Sequence, residues 1–230
     1  MKNGIRYGIK FTKGDAIKFI GHLDLLKVFE RTVLRSRLPI KFSQGFNPHQ
    51  LISMASPLSL GMTSISEYAE FEFKEEISPE EIKEKLNLYC PEGLRVISAF
   101  RLNEGEKIGM GQMAAAEYRI DFKNLCTREF LAENLPKYMA LPEIWVEKKT
   151  KRGIKETDIR IDIFKAEILE DTTVDVLLAA GSARNLKPEV FAKGLFKYFG
   201  KEFSPHKLLI ERREILRKKD NEFEAFKSGE

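Results

Sequence analysis

The sequence predicts an α+β chain of two tandem lobes, each running β-α-β-β-α-β, and three observations carry that prediction. Period-two and helical hydrophobic patterns succeed one another in that order over the first hundred residues. A break rich in glycine (Gly105, Gly109, Gly111) follows, and the same order of patterns then resumes.

Ile5, Tyr7, Ile9 and Phe11 alternate with Arg6, Gly8 and Lys10, as in a strand with one buried face. A helix is expected from Gly21 to Arg37, with Leu25, Leu26, Phe29 and Val33 on one side and Pro39 beyond its end. Ile40-Lys41-Phe42 reads as a short strand. After the turn 43–48 comes a second extended region, ending in the alternation 68–73. Ser78-Pro79-Glu80-Glu81 is a helix start, because Ser78 can accept from the free amide of Glu81 and proline suits the first helical position. Leu94 to Leu102 is the strand that closes the first lobe.

In the second half a strand is expected over 117–122, then a helix capped by Thr127 and running to Tyr138. A strand near 144–146 leads through a basic turn to another over 159–168. A further strand over 173–179, a helix over 188–199 and a last strand at 208–210 complete the order. The expected boundaries are a first lobe at 1–102, a linker at 103–116, a second lobe at 117–219 and an aperiodic tail at 220–230 that frays. Units of this element order are ferredoxin-like.

Composition narrows the function classes. Hydrophobic residues make up 43%, with 17 Phe, enough for a real core. The 39 basic and 35 acidic residues nearly cancel at net +4, so any nucleic-acid surface must come from the placement of charge. No stretch has the length of a membrane span, and the N-terminus lacks the apolar core of a signal peptide, so a cytoplasmic protein is expected. Cys90 and Cys126 form no CxxC pair, so no disulfide framework, metal site or cofactor is expected.

The densest chemistry lies in Gly21-His22-Leu23-Asp24 and Ser43-Gln44-Gly45-Phe46-Asn47-Pro48-His49. His22, Asp24 and His49 are candidates to shuttle a proton, or to supply three ligands to a metal, if the fold brings them together. The same residues have a structural explanation. A carboxylate at the third helical position favours the helix dipole, and a histidine after Asn-Pro can satisfy turn carbonyls.

Basic residues fall into groups. Lys27, Arg31 and Arg35 recur every four residues along the first helix, and Lys41 extends the stripe; Lys148, Lys149, Lys151 and Arg152 crowd one turn. Such clusters suit phosphate contacts, since each neutralised phosphate releases a counterion. Phe46 and Asn47 are candidates to stack on or read an unpaired base. Opposing them, residues 67–84 hold eight acids and two lysines. Gly181, Ser182, Arg184 and Asn185 stand in a small-residue turn before a helix, a place where backbone amides can hold an anion, although the spacing is not that of a phosphate-binding P-loop.

These motifs resemble those of a bacterial family of radical-SAM-linked proteins. The resemblance runs through Gly21-His22-Leu23-Asp24, where the family has serine at the first position, and through Leu38 to His49, its most specific piece. It continues in Ser56-Pro57-Leu58-Ser59-Leu60-Gly61, Ser66-Glu67-Tyr68, Cys90-Pro91-Glu92-Gly93-Leu94, Asp158-Ile159-Arg160 and 181–189. It implies a protein acting beside a separate radical-SAM enzyme, because the CxxxCxxC of a cluster ligand set is missing. The family supplies no catalytic residues to carry over. The expected function is an accessory protein that binds such an enzyme and presents a substrate, RNA being the substrate the basic groups suit. The alternatives are a metal-independent endoribonuclease using His22 or His49, and an adaptor that binds protein only.

Overall fold

Alternating aromatic residues on paired strands set the core of the first half. The computed structural model describes residues 4–123, 125–150 and 153–226. The chain is a mixed α+β protein that divides into two compact units, one formed by residues 1–112 with 224–230, the other by 113–223.

In the first unit the order is β1 (Ile5–Lys13), α1 (His22–Ser36), β2 (Ile52–Met54), β3 (Thr63–Phe73), α2 (Pro79–Asn87) and β4 (Leu94–Arg101). The strands lie in the order β4-β1-β3-β2, all antiparallel. Tyr7, Ile9 and Phe11 of β1 and Phe71 and Phe73 of β3 are buried against Phe29 and Val33 of α1. Phe29 meets Phe11 and Phe71 edge-on at 4.8 and 5.6 Å, the geometry that ring quadrupoles favour. Both helices have the limits their caps announce. Gly21 precedes α1 in extended conformation, and Ser78 accepts from Glu81 N at 3.2 Å. Arg37 ends α1 in the left-handed region at φ 55°, where glycine is the usual residue.

Three expectations need correction here. The strand at 40–42 is reduced to single bridges, Ile40 to Phe73 and Phe42 to Gln50. Pro39 has no N–H to give a ladder, and the amide of Ile40 turns back onto Leu38. The linker 103–116 is not free either. Ile108 is buried, its amide donates to Glu70, and Arg6 bridges from Glu70 to the Glu106 carbonyl; Met113 already begins the next strand. Gly8 makes room for this, since a Cβ there would lie 2.3 Å from the Phe100 ring. In the tail, Glu222–Ala225 forms strand β11 and Phe226 is buried on Tyr68 with ring centroids 5.3 Å apart.

The second unit runs β5 (Met113–Asp121), α3 (Arg128–Met139), β6 (Trp145–Thr150), β7 (Gly153–Asp158), β8 (Ile163–Glu170), β9 (Thr173–Ala179), α4 (Pro188–Tyr198) and β10 (Leu209–Lys219). Its sheet order is β10-β5-β9-β8, antiparallel, with β6 and β7 pairing only with each other. Phe122, Leu131, Tyr138, Phe191 and Phe196 fill its core. The expected strand 159–168 divides, because the Asp158 carboxylate accepts from the amides of Ile144 and Arg160 and a short 3-10 turn at Arg160–Asp162 follows. The strand expected near 144–146 is β6, but its partner β7 was not expected, and the two form a hairpin inserted between α3 and β8. Among the described residues no helix is long and apolar enough to cross a membrane.

Candidate functional site

Two charged residues occupy the apolar phase of the first unit's strands. Lys13 follows Tyr7, Ile9 and Phe11 on alternate positions, and Glu67 precedes Ala69, Phe71 and Phe73 on theirs. Both are 2% exposed. Buried charge is costly unless it is paired and hydrogen-bonded, and Lys13 Nζ donates to the Lys18 carbonyl at 3.1 Å. Lys13 and Glu67 line one small cavity together with Ile20, His22, Leu25, Met54, Ser56 and Leu58. Its volume of about 10 Å³ is that of a single water. Two charged residues, a histidine and a serine thus border one small space together with four apolar residues. His22, Ser56 and Glu67 belong to three separate sequence motifs that the fold gathers here. Lys13 and Glu67 were missed as site residues, yet a charge on an apolar phase was the signal that marked them.

His22, Asp24 and His49 have separate settings. Asp24 sits in the first turn of α1 and pairs with Lys27 at 3.6 Å. His49 Nδ1 lies 2.8 Å from Ser43 Oγ, which also accepts from the His49 amide, so the pair closes the loop 43–49. Among the described residues no three His, Cys, Asp or Glu side chains are grouped to hold a metal.

Helix α1 buries Leu25, Phe29 and Val33 and leaves Lys27, Arg31 and Arg35 exposed, so the cationic stripe faces solvent. Arg31 and Arg35 have no ion pair among the described residues. Lys41 is instead committed to Glu72 at 2.5 Å. Phe46 is fully exposed beside Gly45, whose φ of +116° only glycine adopts readily, and Asn47 is exposed next to it. Gln50, at the foot of this loop, donates to the Glu30 carbonyl at 3.0 Å and so ties the loop to the middle of α1.

In the second unit, Lys148 and Lys149 lie on β6, while Lys151 and Arg152 fall outside the described residues. Gly181 is buried, and Ser182, Arg184 and Asn185 are exposed in a loop before α4. Arg184 Nε donates to buried Asp162 at 2.6 Å, so this guanidinium orients the loop. The amides at the start of α4 lie beside Glu189 in its first turn, an acid where an anion site would want none. Asp158 and Arg160 are likewise structural. Arg160 donates to the carbonyls of Met139, Leu141 and Ile163 and pins the helix end to the strand.

One further concavity, of about 330 Å³, lies on the sheet of the second unit. It is lined by Glu117, Arg119, Lys165, Glu167, Asp175 and Arg213 among others. Arg119 grips Asp175 with two hydrogen bonds of 2.8 Å and holds its carboxyl below the usual aspartate range. Three acids against three bases make this a poor seat for a polyanion. Burial pushes the Cys90 and Cys126 thiols up to about 11, away from nucleophilic use at neutral pH.

A family model described as an uncharacterised protein conserved in bacteria (DUF2344) matches residues 6–188. No curated protein matches the chain.

Proposed function

We propose, for a chain that belongs to this conserved bacterial family, the role of an accessory protein that binds a radical-SAM enzyme and presents an RNA substrate to it. The motif resemblance, from Gly21-His22-Leu23-Asp24 through 181–189, supports the enzyme partner. Each unit is read as ferredoxin-like, a reading supported by the orders β4-β1-β3-β2 and β10-β5-β9-β8, with the second carrying an inserted hairpin.

The observation that carries the RNA part is in the first unit. Arg31 and Arg35, which have no ion pair among the described residues, stand on the open face of α1, and the loop anchored to that helix at Glu30 lifts Phe46 wholly into solvent. Phosphates can sit on the arginines while an unpaired base stacks on the ring. A solvent-exposed phenylalanine held on a loop closed by Ser43 and His49 has no packing reason to be there.

The test is recovery of the tagged protein from its own host, with bound protein and bound nucleic acid identified together. A radical-SAM enzyme recovered with RNA supports the reading, and the enzyme without RNA leaves only an adaptor. In vitro, Arg31→Glu with Arg35→Glu is expected to weaken single-stranded RNA binding and to lower its salt slope by about 1.4, two contacts at ~0.7 each. An unchanged slope sinks the proposed surface. Metal-free cleavage of the bound RNA that is lost in His22→Ala or His49→Ala would replace the accessory role with a nuclease.

A further inference from the structure

The small cavity of the first unit is assembled by three separate constraints. The register of β1 on β3 shifts between Phe11, which faces Glu67, and Lys13, which faces Ser64, an irregularity of the kind that re-aims side chains. β2 pairs with β3 so that Met54 lies opposite Ala69, and the Ala55 amide donates to the Tyr68 carbonyl at 2.8 Å. The same ladder therefore carries Ser56 to the level of Glu67. The Lys18 carbonyl accepts from Lys13 Nζ at 3.1 Å and from the Gly61 amide at 3.0 Å. That oxygen ties the end of β1 to the turn before α1 and to the loop 56–61.

The protein does not satisfy every polar group around this space. His22, the first residue of α1, is half-buried, and its ring has no hydrogen bond or ion pair among the described residues. Ser56 Oγ donates to the adjacent Pro57 carbonyl at a long 3.3 Å. A half-buried imidazole without a partner has lost water contacts that no group of the protein replaces, so a guest would complete it. The carboxylate of Glu67 disfavours an anion here and the ammonium of Lys13 disfavours a cation. A fitting guest is therefore neutral and brings a donor together with an acceptor. At about 10 Å³ the cavity admits only the end of such a group, and the rest of the molecule lies outside. Phe19, Leu23 and Leu60 stand one or two positions along the chain from the lining residues Ile20, His22 and Leu58, and are 73%, 69% and 63% exposed. Phe19 Cε1 lies 3.5 Å from where a Cβ on Gly61 would stand, so the ring is laid beside the loop that carries Ser56.

We infer that this cavity reads the edge of one unpaired nucleobase whose ring face rests on Phe19. The pairing edge of every base sets a donor beside an acceptor, and extruded bases are held by that edge together with an aromatic or apolar face. Glu67 takes the donor of the base, and Ser56, His22 or Lys13 meets its acceptor. The inference rests on the RNA reading above and deepens it. Phe46 stacks on any base, whereas this site distinguishes among them.

Fluorescence anisotropy on the full chain tests it with single strands of about ten nucleotides. The probes are oligo(U), oligo(A), oligo(C) and an abasic sugar–phosphate strand of equal length. The wild type is expected to rank the three base-carrying strands and to bind the abasic strand least. His22→Ala, Glu67→Gln and Phe19→Ala are each expected to weaken binding of the preferred strand roughly fivefold or more, the size of one hydrogen bond or one stacked face. Affinity for the abasic strand is expected to stay unchanged. Glu67→Gln is expected to flatten the ranking, whereas Phe46→Ala lowers all three alike and preserves it. His22→Ala separates binding from folding, because the ring has no bond within the described residues to lose and Tm is expected to match that of the wild type. If Glu67→Gln lowers Tm, His22→Ala and Phe19→Ala decide. Variants that bind the preferred strand as tightly as the wild type overturn the site, as does an equal loss on the abasic strand. Either result leaves the RNA reading standing, since the wild type still binds the strands. Wild-type protein that binds no strand overturns both.

Discussion

The two units use their distinctive residues in opposite ways. In the first, Lys13, His22, Ser56 and Glu67 gather around a cavity, and Arg31, Arg35 and Phe46 are left open to solvent. In the second, Asp158, Arg160 and Asp162 hold amides, carbonyls and, for Asp162, the guanidinium of Arg184. Motifs of similar appearance in sequence thus leave side chains open to solvent in one unit and tie down the main chain in the other. A polar side chain next to a glycine-rich turn has two fates. It satisfies the main chain of the turn, or it is left free because another residue already does so. In the loop 43–49 that other residue is Ser43, and Asn47 is left exposed beside the open ring of Phe46.

The contrast can be broken or sharpened by measurement. Phe29→Ala removes the ring that joins Phe11 to Phe71 in a fully buried cluster, and is expected to cost about 3–5 kcal/mol in denaturant unfolding. A loss below about 1 kcal/mol would mean that the first unit is not held by its aromatic core. Arg160→Ala strips donors from three main-chain carbonyls and is expected to cost about 1–3 kcal/mol. Its RNA affinity, once folded, should equal that of the parent. Lost affinity at full stability would make the second unit's motif functional and erase the difference drawn between the units.

The smallest effect concerns pH. Arg119 holds the Asp175 carboxyl below its ordinary range, so the folded form releases that proton more readily than the unfolded one. The pair's contribution is present above the ordinary aspartate pKa and fades as pH falls through the lowered one. With side chains 34% and 39% exposed, it is worth under about 1 kcal/mol. Asp175→Asn should therefore be slightly less stable than the parent at neutral pH and equal to it in strong acid. A gap that persisted in acid would point to lost packing in place of lost charge.

Much of the fold was legible because local rules decided it. Gly21, Pro39, Ser78 and Pro79 set the limits of α1 and α2, and the strand alternation of 5–11 and 68–73 fixed which face is buried. The exposed stripe of α1 followed from the same periodicity. What escaped depended on partners far away in sequence. Phe226 has no local pattern and is ordered by Tyr68, 158 residues earlier. The inserted hairpin hid behind the alternating isoleucines 159, 161 and 163, which read as the start of one strand until Asp158 captures the amides of Ile144 and Arg160. Lys13 and Glu67 stood in plain view on apolar phases, but only the cavity gives that placement a meaning.

The first unit is not continuous along the chain, since residues from 224 onward belong with residues 1–112. Synthesis therefore imposes an order. As the protein emerges from the ribosome, the second unit, unbroken from 113 to 223, is complete before the first has received its last side chain. Phe226 reaches the ring of Tyr68 only when everything between them has been made. A nascent chain halted at residue 223 would carry a finished second unit and a first unit still missing part of its core, and that core closes only after residue 226 has emerged.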